Sequence, residues 1–161
     1  MPGRRRLPLA IPPVAAFSRY ATRAQDACVG VCDETGEGVR RPMETILLID
    51  DEEQVRLLFH VALEGAEYRV PTAESGPHGL RRLEHQEVDL IPVDVIMPEM
   101  DGLELIPLLC KTRPASKIIA MSGGSGEWDY LDTAKHLGAN DTLKKPFSLQ
   151  ELLAAVSSQL N

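Results

Sequence analysis

Asp50, Asp51, Asp94, Ser122 and Lys145 are the side chains of this sequence whose types and positions could do chemistry together. Each stands at or just past the end of a short apolar run. Asp50 and Asp51 follow Ile46-Leu47-Leu48-Ile49, and Asp94 follows Leu90-Ile91-Pro92-Val93. Ser122 follows Ile118-Ile119-Ala120-Met121, and Lys145 comes just after Thr142-Leu143. If these runs are parallel strands, their C-terminal ends bring all five groups to one edge of a sheet, where open α/β folds place their sites. Three carboxylates crowded there cannot all stay ionised without a cation, and their hard oxygens suit Mg²⁺. An ammonium and a hydroxyl beside them have the donors to hold phosphoryl oxygens. The set points to reversible phosphorylation of an aspartate.

The elements that must position these groups alternate from Thr45 onward. A first strand is expected at Thr45–Asp50. Glu53 to Glu64 follows, with a one-sided helical stripe of Val55, Leu58, Phe59, Ala62 and Leu63. Tyr68–Thr72 reads as a short second strand, and its Pro71 is compatible only with a sheet edge. Pro77 suits the first turn of a helix running to about Gln86. A third strand at Val88–Asp94, a helix at Gly102–Thr112 and a fourth strand at Lys117–Ser122 come next. Asp129–Leu137 is a fourth helix stopped by Gly138, and Asp141–Leu143 a short fifth strand. Ser148 caps a last helix with Glu151 at the capping-box position. This is an α/β, flavodoxin-like (βα)₅ pattern, a doubly wound parallel sheet with expected strand order 2-1-3-4-5.

At 161 residues the chain has the length of one domain, and at 4% aromatic its core must be aliphatic. Residues 1–42 carry seven arginines against four acids, a net +3, while residues 43–161 carry ten Lys/Arg against twenty Asp/Glu, a net −10. An acidic globular part argues against nucleic acid as its partner, and no apolar run reaches the length of a membrane span. Cys28, Cys32 and Cys110 form no disulfide or metal framework and read as reduced thiols in a cytoplasmic protein. His60, His78, His85 and His136 read as scattered over separate helices, with no metal cluster among them. Residues 1–42, with Arg4-Arg5-Arg6 and Pro12-Pro13, have no sustained period. They are a targeting segment, a disordered tail, or sequence upstream of a natural start at Met43.

Residues 45–160 resemble a receiver domain of the two-component response regulators, the family of the bacterial chemotaxis regulator. The resemblance rests on Ile49-Asp50-Asp51-Glu52, on Asp89 through Pro98, on Met100-Asp101-Gly102, Ser122-Gly123 and Lys144-Lys145-Pro146-Phe147, in order and on the right elements. It leaves no room for an output domain after residue 160 and so implies a stand-alone member. It also implies that Asp94 is the phosphoacceptor, attacking phosphohistidine on a histidine kinase or phosphotransfer protein, or a small phosphodonor. Asp51 would ligate Mg²⁺ directly and Asp50 through water, with Asp94 and the backbone carbonyl of Ile96 completing the protein ligands. Lys145 would pair with one phosphoryl oxygen and Ser122 would swing in to bond another. A cis peptide before Pro146 is implied too. A downstream protein would bind the face made by the fourth helix, fifth strand and last helix.

Three departures bear on this. The position three residues before the lysine, often Tyr or Phe in the family, is Thr142, so any switch must use backbone shifts around Ser122–Trp128 or other side chains. Gly123-Gly124-Ser125-Gly126 is a loop able to reorder there. Pro92 inside a central strand predicts a bulge or a lost hydrogen bond, and Pro107 predicts a kinked or late-starting third helix. A non-phosphorylated receiver-like scaffold would be favoured by a missing acid, acceptor or lysine, and none is missing. A Mg²⁺-dependent phosphatase of the D-x-D type does not match the adjacent Asp50-Asp51. A flavin carrier does not fit Asp50-Asp51-Glu52-Glu53, which would repel a flavin phosphate.

Overall fold

A computed structural model of the protein describes residues 43–123 and 130–161. Strands and helices alternate as β1 Leu48–Ile49, α1 Glu53–Glu64, β2 Thr72–Ala73, α2 Gly76–His85, β3 Leu90–Asp94, α3 Gly102–Thr112, β4 Lys117–Ser122, α4 Tyr130–His136, β5 Asp141–Lys144 and α5 Leu149–Leu160. The strands pair in parallel in the order β2-β1-β3-β4-β5, as expected from the sequence. Residues 1–42 lie outside the described residues, as do Gly124, Ser125, Gly126 and Trp128 of the loop expected to reorder.

The period-two alternation of the strands divides the core between the two faces of the sheet. Leu47, Ile49, Ile91, Val93, Ile118 and Ala120 pack against Leu83 of α2, Leu105, Ile106 and Leu109 of α3 and Ala134 of α4. Ile46, Leu48, Leu90, Ile119 and Met121 face the other way, against Phe59 and Leu63 of α1 and Leu152, Ala155 and Val156 of α5. Helix starts are set by side-chain caps. Ser75 accepts from His78 N with Pro77 in the first turn, and Asp101 accepts from Glu104 N at 2.8 Å. Ser148 and Glu151 form a reciprocal capping box. After α4, Ala139 N reaches Ala134 O and Gly138 N reaches Lys135 O, with Gly138 at φ +117, the glycine-terminated Schellman stop.

The prolines leave clear marks. Ile46 pairs with Leu90 and Ile49 with Val93, the same offset on either side of Pro92, so no residue is inserted and there is no bulge. Leu90 N donates to Thr45 O and Leu90 O accepts from Leu47 N, so the backbone of residue 92, two positions on, faces β1 as well. Proline has no N–H to donate there, and the β1–β3 ladder breaks opposite it; toward β4, Pro92 stays in register with Ile119. Pro71 acts similarly from the other side, on the edge strand where it was expected, and shifts regular β2 pairing to Thr72–Ala73. Pro107 lies inside α3 without delaying its start at Gly102.

Candidate acidic phosphoacceptor site

The C-terminal ends of the strands gather the five predicted side chains. Asp50, just past β1, is fully buried, and Asp94, the last residue of β3, is 5% exposed. Ser122 ends β4 and is buried, while Asp51 is exposed at the mouth. Lys145 follows β5; its amide donates to Ser122 O at 2.8 Å, tying the β5 loop to the end of β4. The Lys145–Pro146 peptide is cis, as the resemblance implied. Phe147 next to it stacks on Phe59 of α1, with ring centroids 5.3 Å apart.

One ammonium bridges the two buried carboxylates. Lys145 Nζ lies 2.6 Å from Asp94 Oδ2 and 3.0 Å from Asp50 Oδ2. The other oxygens accept backbone amides: Glu52 N donates to Asp50 Oδ1 at 2.9 Å and Ile96 N to Asp94 Oδ1 at 3.1 Å. Ile96 is thus held beside the acceptor, half exposed. Behind Asp94 the backbone is packed closely. A Cβ on Gly102 would lie 2.6 Å from Asp94 O and 2.7 Å from Val95 Cα, so the turn into α3 needs glycine for space.

Burial pushes the Asp50 carboxyl above its usual range, and Asp94's charge adds to that. The Lys145 hydrogen bond and charge, and the Glu52 amide, offset part of the rise. Burial alone would lower the Lys145 ammonium, but its hydrogen bonds and charge pairing with Asp94 and Asp50 outweigh it and raise the group above the ordinary lysine value. The site is therefore short of positive charge. An oxygen from each of Asp50, Asp51 and Asp94 lies within 4.8 Å of the others, and no second such cluster occurs among the described residues. Three hard carboxylate oxygens around one point, with room at the Asp51 side for water, fit a hexacoordinate Mg²⁺.

Other expectations resolve less evenly. Thr142 sits half-buried in β5 opposite Ala120. The histidines do not all lie on separate helices, because His78 and His85 share α2. His60 pairs with Glu64 and Val70 O instead of with another ligand. Two contacts were missed in the sequence: the Phe59–Phe147 stack, and Arg56 Nη1 donating to Asp50 O at 2.7 Å. Arg56 was detectable in principle, since a residue on the first turn of a helix points back toward the strand that precedes it.

The sequence model of the response regulator receiver domain matches residues 46–157. The chain is 36% identical over 115 residues to the alkaline phosphatase synthesis transcriptional regulatory protein PhoP of Bacillus subtilis, covering 71% of this chain and 48% of that protein. It is 40% identical over 123 residues to the sensor kinase CckA of Brucella abortus, covering 72% of this chain and 12% of the kinase. It thus spans half or less of the length of these curated relatives. Among solved structures, a CheY-like receiver domain protein of Methanospirillum hungatei superimposes with a TM-score of 0.70 at 27% identity, over 74% of this chain and 94% of that one. The chemotaxis response regulator CheY4 of Vibrio cholerae does so at 0.68 and 27%, over 74% and 100%.

Proposed function

The chain belongs to the response regulator receiver domain family, a family of signalling domains, and on that premise we propose that Asp94 is its phosphoacceptor. The observation that carries this reading is Lys145 Nζ bridging buried Asp94 and Asp50, with Asp51 in reach of both. In the reaction an Asp94 carboxylate oxygen attacks phosphorus, the phosphorus–nitrogen bond of a phosphohistidine breaks, and the imidazole leaves. The donor is a histidine kinase or a phosphotransfer protein; acetyl phosphate, losing acetate, replaces it in the test tube. Mg²⁺ held by Asp50, Asp51, Asp94 and the Ile96 carbonyl would supply charge neutralisation for the transferring oxygens. Lys145 holds the nucleophile apart from the Asp50 charge, then follows the new phosphoryl oxygens as a donor. Ser122, at the end of β4, donates its hydroxyl to another of those oxygens.

The products are an aspartyl phosphate and a domain whose β4 and β5 ends have new partners, a change suited to switching a binding face. The face formed by α4, β5 and α5 is the proposed output surface, because Ser122 and Lys145 lie at its edge. The chain catalyses no turnover beyond gaining and losing this group, and it works in the cytoplasm. Intact-mass measurement after incubation with acetyl phosphate tests the reading. One phosphoryl group should be gained with Mg²⁺, and none with a chelator or in Asp94→Asn. An unchanged mass under conditions that modify a known receiver domain would refute it.

A further inference from the structure

The last rung between β1 and β2 pairs Ile49 with Ala73, and Asp50 N donates to Ala73 O at 3.2 Å. The next group on that edge is the Asp50 carbonyl. β2 has already stopped at Ala73, so the ladder ends one rung short of it. Arg56 on the first turn of α1 supplies the missing donor, with its half-buried side chain reaching back and Nη1 2.7 Å from the carbonyl oxygen. That carbonyl belongs to the peptide unit joining Asp50 to Asp51. Holding it fixes the plane from which both carboxylates project.

We infer that Arg56 is a positioning residue for the metal-binding pair Asp50 and Asp51, an inference that rests on the Mg²⁺-assisted phosphoacceptor reading above. Asp50 is held at four atoms: its amide by Ala73, its carbonyl by Arg56, Oδ1 by the Glu52 amide and Oδ2 by Lys145. Arg56 and Lys145 each reach it with a cationic side chain. When Lys145 turns to a phosphoryl oxygen, Arg56 is the cation that keeps residue 50 in place. A guanidinium suits this task because it donates from a planar, permanently charged fork and touches no carboxylate of the site.

The test is a Mg²⁺ titration of the whole chain by calorimetry, with Arg56→Met, which keeps the apolar stem, and Arg56→Lys, which keeps the charge. Phosphorylation by acetyl phosphate is followed across the same Mg²⁺ range. Loss of an outer hydrogen bond to a metal ligand should raise the Mg²⁺ Kd about tenfold in Arg56→Met and less in Arg56→Lys. The phosphorylation rate at saturating Mg²⁺ should return to within about twofold of the unsubstituted chain, since only ground-state binding of the ion is lost. A general structural defect would not give that split. Should Arg56→Met fail to fold in a melting experiment, Arg56→Lys carries the same test. An unchanged Kd in a folded variant, or a rate loss that added Mg²⁺ does not recover, overturns the inference and leaves the phosphoacceptor reading standing. Failure of the unsubstituted chain to bind Mg²⁺ overturns both.

Discussion

Lys145→Met should convert the site from two carboxylates sharing one ammonium into two adjacent buried carboxylates without it. Asp50 is fully buried, and the Lys145 side chain that serves both acids is 18% exposed. Removing one partner of a buried ion pair costs about 3–5 kcal/mol, and the partial exposure of the lysine places this case near ~3 kcal/mol. For a domain of this size that corresponds to a fall of about 15 °C in Tm. The loss must depend on pH. Asp50 is already raised above its usual range, so the folded state holds more proton than the unfolded one, and its stability falls as pH rises through the folded value. Lys145, raised in turn, contributes stability that is present below the ordinary lysine value and lost as pH rises through its own folded value. Without the ammonium, the Asp50 carboxyl resists ionisation further. The deficit of the variant should then be small where Asp50 is protonated, largest from neutral to mildly alkaline pH, and smaller again where Lys145 of the unsubstituted chain loses its own proton. Mg²⁺ at about a hundredfold above its Kd adds ~2.7 kcal/mol to the folded state and should restore most of the loss. Thermal melts by circular dichroism across pH, with chelator or Mg²⁺, read all three effects, and exposed Lys144→Met is the control. A deficit equal at acid and neutral pH would refute the electrostatic account.

Three further substitutions probe how the site is supported. Gly102→Ala should cost about 2 kcal/mol, because its Cβ meets backbone at Asp94 and Val95 that cannot yield, and urea unfolding measures it. Gly138→Ala should cost a similar ~2 kcal/mol, partly from φ +117 and partly from Cys110 Sγ 2.6 Å from the new Cβ. Adding Cys110→Ala should return only the steric part. Ser148→Ala should cost about 1 kcal/mol through loss of the capping box on α5, again by urea unfolding. Ser148's amide and hydroxyl hold the Glu151 carboxylate below its usual range, so this contribution is present above the ordinary carboxylate range and lost as pH falls through the lowered value. The deficit of the variant should therefore narrow in acid only by the share carried by the hydroxyl's bond to the carboxylate, while the share from the hydroxyl accepting Glu151 N persists.

Much of the architecture was legible because each signal was local. The helix expected at Gly102–Thr112 and the strand expected at Lys117–Ser122 are observed with those bounds. β1 and β2 came out shorter than their apolar runs. The reason is pairwise: Pro71 and Pro92 withhold amides from β1 on its two sides, and only the strand order reveals that both prolines act on the same strand. The site residues were legible because five strand ends converge in this topology. The bridging role of Lys145 between two acids was not, since it depends on distances between residues 95 and 51 positions apart. The Phe59–Phe147 stack was hidden for the same reason, whereas Arg56, only six positions from Asp50, was overlooked because it reads locally like an ordinary member of α1.

The most direct measurement of the central claim is to trap the modified residue. Reduction of the acetyl-phosphate-treated chain with borohydride converts an aspartyl phosphate to homoserine, and peptide mass spectrometry locates it. The account predicts homoserine in place of Asp94 and nowhere else, dependent on Mg²⁺. Homoserine in place of Asp50 or Asp51, or none in a chain that had gained a phosphoryl group, would contradict it.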